Sequence, residues 1–448
     1  MDSALRTRHS ALNPVVSSSL VAPQSSAPGP LMQPHHHPSS IIHHPARSSL
    51  PTPDSAFKSP VVNGLSSVTL NSQLSTLNCL RGLRICLLAG TLGQGGAERQ
   101  LSYIASALKS SGAEVLVLTV TSGEVWESRL QAIGVPVQFV GASASRLKRL
   151  LAVARAVKRF RPTLVQSQHF YMNSYASLVA RLFRLHAIGA VRGDGFFDLR
   201  DCGRLGKLCL NLPHKLAVNS RAAIRNLTSL GCHPERLHHF PNVIDLARFP
   251  LGHGMNGSPA TILGVGRFTA EKRFDRFLRV IALLKQRSGA AFRVTIAGDG
   301  PLRLEMEKLA RSLGLSDTVK FCGDVPDIQS LYRQAHILLF TSDYEGTPNV
   351  VMEALASGLS VVATAVGDVP DLIQDGSTGF LVEPNDESAL ADRLKVLLQD
   401  RSLRSDMSRR GRAFVETHHS LDLLPAQLEA LYRAVLVPSP HPMGRGPG

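Results

Sequence analysis

A repeated alternation constrains this chain most: short apolar runs, each closed by glycine or a polar residue, are separated by amphipathic stretches of helical length. In the first half the runs fall at 84–89, 115–120, 135–140, 163–166, 188–191 and 216–218, with a helix expected at about 97–108. A looser stretch, 246–259, follows, and the pattern restarts with runs at 261–265, 292–297, 319–321, 337–340, 360–363 and 380–382. Helices are expected there at about 274–287, 301–313, 327–335, 348–357, 387–399 and 401–415, and a last one at about 421–436 is placed to pack back across the first half. Apolar strands alternating with helices specify parallel sheets covered on both faces. The chain has 448 residues. Single cores stop growing near about 250 to 300 residues, so two lobes are expected. Ligands in such sheets bind beyond the C-terminal strand ends, and two facing sheets would enclose a cleft.

Four segments follow: a low-complexity tail at 1–80, one lobe at 81–250, a second at 251–436 and a short tail at 437–448. The first tail is crowded with Ser, Pro and His without an apolar period, so it cannot offset its ordering entropy and is expected to be disordered. His35, His36, His37, His43 and His44 are read as part of that solvated tract rather than as metal ligands. The six cysteines show no C-x-x-C pair and no zinc spacing, which fits free thiols in a reducing compartment. No stretch approaches the length of a membrane span, so a cytoplasmic protein is expected.

The net charge of +15 is unevenly spread: residues 81–250 hold 23 basic and nine acidic residues, whereas 251–436 hold 21 and 23. Seven of the basic residues lie between Arg146 and Arg161, with Lys148, Arg155 and Arg159 on one helical face and Leu150, Ala154 and Val157 opposite. A solvated outer face accounts for that stretch alone, while the wider excess suits an anionic membrane surface, reached peripherally from the inner side. Nucleic acid is not expected, because the lobe has few aromatics for stacking and no reader motif.

The chemistry concentrates between Arg267 and Glu353. Arg267 and Lys272 follow the first strand of the second lobe, where two charge-assisted bonds could hold a diphosphate, and no Asp-x-Asp pair is present to carry a divalent ion. Gly298-Asp299-Gly300-Pro301 is a strand-to-helix turn with glycines that permit close backbone approach. Glu345 stands beside Gly346 in a loop, and Thr347 and Pro348 start a helix whose free amides near Asn349 and Val350 form an anion site. Glu353 sits among Val350, Val351, Met352, Ala354 and Leu355, and a carboxylate buried there needs a partner, for which ribose hydroxyls are suited.

These motifs, with Ala354-Leu355-Ala356-Ser357-Gly358 and Asp375-Gly376 followed by Gly379-Phe380-Leu381-Val382, resemble the donor lobe of retaining GT-B glycosyltransferases of family 4. The resemblance covers about residues 83–436 and implies two Rossmann-like domains facing a cleft, an acceptor lobe first and a nucleotide-sugar lobe second. It implies that Glu345 contacts the transferred sugar, Glu353 the ribose, and Arg267 and Lys272 the diphosphate, with no cofactor or metal. Gly93-Gln94-Gly95-Gly96-Ala97-Glu98-Arg99 resembles the family's glycine loop, but it is a poor dinucleotide fingerprint, since the next strand ends without a ribose-binding acid. Where the family carries His-x-His, Gln166 and Gln168 stand here, leaving His169, one residue along, as the imidazole candidate. Gly367-Asp368 replaces a common Gly-Gly, and Asp368 is a second candidate for a sugar hydroxyl.

The expected function is therefore sugar transfer from a nucleoside-diphosphate sugar to a saccharide or lipid-linked acceptor, with retention, in cell-envelope or exopolysaccharide synthesis. The altered His-x-His supports an alternative, a catalytically silent subunit of this fold that binds nucleotide or saccharide and assists a partner. A basic nucleic-acid-binding protein is the third reading.

Overall fold

The computed structural model describes residues 80–252 and 259–436; the expected tails, the polyhistidine tract and part of the looser stretch lie outside them. The first sheet contains β1 (Arg84–Ala89), β2 (Glu114–Thr119), β3 (Val137–Phe139), β4 (Leu164–Ser167), β5 (His186–Val191), β6 (Lys215–Val218) and β7 (Leu237–His239). Its order is β3-β2-β1-β4-β5-β6-β7 with every pairing parallel. The second sheet contains β8 (Ala260–Val265), β9 (Phe292–Ala297), β10 (Val319–Gly323), β11 (Ile337–Phe340), β12 (Ser360–Thr364) and β13 (Gly379–Val382). These run in the order β10-β9-β8-β11-β12-β13, again all parallel.

Two strands depart from the sequence expectation for local reasons. The run 135–140 pairs only over β3, because the Val135 N–H closes the preceding helix onto Leu130 O and Pro136 has no N–H to give the ladder. β7 was not expected: Leu237–His239 has one apolar residue, and it forms as an edge strand beside β6.

The helix Gly96–Ser110 buries Leu101, Ile104, Ala105 and Leu108, spaced to face one side, against the first sheet. The last helix, Leu424–Leu436, joins the same core through Leu424, Leu428, Leu431 and Tyr432, so the chain's end returns to the first lobe. The Tyr432 hydroxyl donates to Gln166 Oε1 at 2.8 Å. The return is pinned where the lobes join: the Ile244 N–H donates to His419 O at 2.8 Å and the Leu421 N–H to Ile244 O at 3.0 Å. Among the described residues, no helix is long and apolar enough to cross a membrane.

Candidate active site

Three neighbouring strands, β9, β8 and β11, end side by side and deliver the second lobe's candidates. After β9, Gly298 (φ 139°) lies so close to the loop after β8 that an added Cβ would be 1.9 Å from Gly266 O. Gly300 (φ 156°) is as confined, its Cβ falling 2.7 Å from Phe268 N. Only glycine combines that backbone with that approach. The contact is completed by the Gly266 N–H donating to Ala297 O at 3.0 Å and the Phe268 N–H to Asp299 O at 2.9 Å. Arg267 therefore stands, exposed, on a loop braced by the glycine turn. Asp299 itself turns away, paired with Arg303 at 3.0 Å.

Lys272 ends a short turn, Ala270–Lys272, and its ammonium donates to Glu345 Oε1, which also accepts from Ser342 Oγ at 3.0 Å. Beneath this pair the loops after β8 and β11 are fastened together: Asp343 meets Arg273 at 2.9 Å and the buried Arg276 at 2.7 Å, while Thr341 Oγ1 donates to Lys272 O at 3.2 Å. A cation and a carboxylate are thus held together over a rigid base, with part of each side chain facing solvent. Such a pair can exchange partners with a ligand that carries both phosphate and hydroxyl groups.

On the first lobe, the loop after β1 carries Gly95 and Gly96. A Cβ on Gly96 would lie 2.1 Å from Asn349 Nδ2, so this loop abuts the start of the helix Asn349–Ala356. Glu124 holds the loop, accepting from the Leu92 N–H, from Thr91 Oγ1 at 2.8 Å and from Thr121 Oγ1 at 2.5 Å. Burial works to raise its pKa, but these hydrogen bonds leave it below the ordinary value. Sequence reading missed Glu124, which lies in no motif.

His169 accepts from the Gly90 N–H at Nδ1 (3.1 Å), which leaves the proton on Nε2, 3.2 Å from the acceptor Glu98 Oε1. Both ring nitrogens are occupied, so the imidazole is fixed in place. The two glutamines at the expected histidine positions are structural: Gln166 receives Tyr432, and Gln168 donates to Ala97 O at 2.7 Å.

Two of the candidate carboxylates have partners on the other lobe. Glu353 is 2 % exposed, and its carboxylate meets Arg99 Nη1 at 2.5 Å. The partner its burial demanded comes from the other lobe, from Arg99 at the end of the glycine-loop segment. The adjoining Tyr332 phenol is pushed well above its usual range by burial and by Glu353. Asp368 is 4 % exposed. It accepts from Ser220 Oγ and from the N–H groups of Arg221 and Ala222, each at 2.9 Å, so it caps the first-lobe helix Arg221–Ser229 from across the cleft.

Thr347 and Asn349 also make contacts between lobes. Thr347 Oγ1 donates to Asn219 O at 2.7 Å, and Asn349 Oδ1 lies 3.3 Å from Asn242 Nδ2 and 3.4 Å from Gln100 Nε2. Gly346 and Pro348 are buried between these residues. The structure thus joins Lys272 to Glu345, puts Arg267 and Gly298 on adjoining loops, and brings Gly95 and Gly96 opposite Asn349. Glu353 and Thr347 are committed to the lobe contact.

Comparison with known proteins agrees with this architecture. Residues 94–248 match Glycosyltransferase Family 4, and residues 249–414 match Glycosyl transferases group 1, the boundary falling between the two sheets. The chain is 27 % identical over 76 % of its length to a putative colanic acid biosynthesis glycosyltransferase, WcaL, of Escherichia coli, covering 80 % of that protein. It is 28 % identical over 43 % of its length to N-acetyl-alpha-D-glucosaminyl L-malate synthase of Bacillus anthracis, of which it spans 50 %. HepE of Anabaena, solved with UDP-glucose, superimposes with a TM-score of 0.69 at 18 % identity, over 79 % of this chain and 100 % of that one. Two parallel-sheet lobes in the GT-B arrangement, and matches that together run from residue 94 to residue 414, show that this chain belongs to glycosyltransferase family 4, the glycosyl transferases group 1.

Proposed function

We propose that this protein is a retaining glycosyltransferase that moves a sugar from a nucleoside-diphosphate sugar to a saccharide or lipid-linked acceptor in cell-envelope or polysaccharide biosynthesis. The observation that carries the reading is the Lys272–Glu345 pair at the adjoining ends of β8 and β11, braced by Arg273, Arg276 and Asp343. On this reading Lys272 and Arg267 take the diphosphate while Glu345 turns to the transferred sugar. Stabilisation of charge on the departing phosphate is then the main catalytic term. His169, held between Gly90 and Glu98, orders the first-lobe rim and is not assigned proton transfer. No metal is assigned to the reaction.

The acceptor side is read from the first lobe. The helix Arg146–Phe160 exposes Lys148, Arg155, Lys158 and Arg159 together with Leu147 (65 %) and Leu151 (46 %). Exposed leucines among cations favour an anionic lipid surface over a purely solvated face, which supports peripheral membrane attachment and a lipid-linked acceptor. The test is incubation with UDP-, GDP-, ADP- and dTDP-sugars and candidate acceptors, reading nucleotide release, sugar transfer and the anomeric configuration of the product. Transfer with inversion would overturn the stereochemical assignment, and absence of transfer from every donor would overturn the enzymatic one.

A further inference from the structure

Arg192 stands at the first-lobe rim with no carboxylate paired to it among the described residues. It follows β5 directly, and its guanidinium donates to two neutral amides, through Nη1 to Asn242 Oδ1 at 3.3 Å and through Nη2 to Gln168 Oε1 at 3.1 Å. Its Nε is buried without a hydrogen-bond partner. Arg99 and Arg276, two other arginines at covered positions, each meet a carboxylate, Glu353 and Asp343 respectively. Arg192 forms no ion pair among the described residues. The acid that acts on it, Asp198, gives Oδ2 to the N–H groups of Gly193 and Gly195, both at 3.1 Å.

Burial pushes the Arg192 guanidinium down to about 10, opposed by Asp198 alone. An uncompensated cation in such a place costs several kcal/mol unless an anion completes it.

Its position says which anion. An added Cβ on Gly346, the neighbour of Glu345, would lie 2.7 Å from Arg192 O, so Arg192 adjoins the Glu345–Asn349 loop. Asn242, which holds Nη1, donates to Thr347 O at 3.1 Å at the start of the helix Asn349–Ala356. No side chain caps that helix start. Asn242 thus links Arg192 of the first lobe to the start of that helix in the second.

We propose that Arg192 is a substrate-binding residue that, with the uncapped amides at Asn349 and Val350, holds a phosphate oxyanion in the cleft. This rests on the glycosyltransferase reading above and adds a first-lobe cation to it. The phosphate belongs either to the donor's diphosphate or to a phosphate on the acceptor, and Arg192 binds it by charge-assisted hydrogen bonds from its unused donors.

The test is calorimetric titration of inorganic pyrophosphate and, separately, inorganic phosphate into the full chain and its Arg192→Met, Arg192→Lys and Lys272→Ala variants, with a melting curve for each. Arg192→Met is expected to bind pyrophosphate at least tenfold more weakly and to melt no lower than the parent, because an unpaired buried charge has been removed. Arg192→Lys is expected to recover part of the affinity. Lost phosphate affinity with intact pyrophosphate affinity assigns the anion to the acceptor and still supports the proposal. Unchanged binding of both anions by Arg192→Met overturns it, as does a lowered melting temperature whose accompanying affinity loss Lys does not repair. If Lys272→Ala weakens pyrophosphate while Arg192→Met weakens the binding of neither anion, the proposal fails and the Lys272–Glu345 site stands. Failure of the parent to bind pyrophosphate removes the wider reading as well.

Discussion

Arg99 and Glu353 lie 254 positions apart on opposite lobes, and their side chains meet at 2.5 Å inside the lobe contact. Glu353 is buried among apolar neighbours, so removing either partner leaves the other charge without compensation. Breaking such a pair costs about 3–5 kcal/mol, whereas replacing both charges by well-packed apolar groups is close to neutral. Arg99→Met and Glu353→Met are each expected to lower stability by that order, and the double variant to regain most of the loss. A denaturant cycle over the four proteins checks this, and strictly additive losses would contradict the pairing.

The Lys272–Glu345 pair predicts a different pattern, because both groups are partly solvent-facing and their loops are secured independently by Asp343. Lys272→Ala and Glu345→Gln should each reduce turnover at least tenfold, about 1.4 kcal/mol of barrier. Melting temperatures should move little. Initial rates and melting curves on the same preparations suffice, and unchanged rates in both variants would refute the assignment.

The sheets were legible because β1, β8, β11 and β12 are buried on both faces and therefore read as unbroken apolar runs. β7 was not, since an edge strand of three residues with two histidines carries no such signal. At the site, the burial of Glu353 was readable from its apolar neighbours, but its partner was not: a contact 254 positions away leaves no local pattern. The same holds for Asp368, whose carboxylate accepts from three groups at residues 220–222 of the other lobe. Glycine spacing did locate Gly298 and Gly300, because their role is enforced by backbone approach.

Asp368 adds a cap supplied across the cleft to a helix whose start is also capped locally by Ser220 Oγ, which accepts from the Ala223 N–H. Losing a capping side chain costs about 0.5–2 kcal/mol. Asp368→Ala is expected to fall at the upper end of that range and to speed amide exchange over Arg221–Ser229, while Asp368→Asn, which retains an acceptor, loses less. Hydrogen exchange resolved by segment is the measurement. Protection of that helix unchanged in Asp368→Ala would sink the idea.

Burial pushes the Asp198 carboxyl up to about 6, against the opposing bonds from Gly195 and Gly193. The folded state therefore holds this proton more tightly than the unfolded chain does. Its contribution is fully present below the unfolded pKa near 4 and is lost as pH rises through about 6. Asp198→Asn keeps an acceptor for the two amides and removes the titration. Comparing denaturation midpoints of the two proteins from pH 3.5 to 7 should show the variant gaining stability over the parent as pH rises. A constant difference across that range would refute the assignment.

The last prediction concerns the outer face of the first lobe, where the helices Arg146–Phe160 and Asn173–Leu182 pack together. Leu147 and Leu182 stand 65 % and 67 % exposed there, so they contribute little to folding and are free to enter a lipid surface. Burying one leucine is worth about 1.5–3 kcal/mol, and each nearby cation adds about 1 kcal/mol on an anionic membrane. The double variant Leu147→Ser/Leu182→Ser should partition onto anionic liposomes at least tenfold less than the parent, with an unchanged melting curve. Raising salt should weaken the parent's binding, since the cations act within a Debye length of roughly 10 Å at 0.1 M. Binding that ignores both salt and the two leucines would place any lipid contact elsewhere on the molecule.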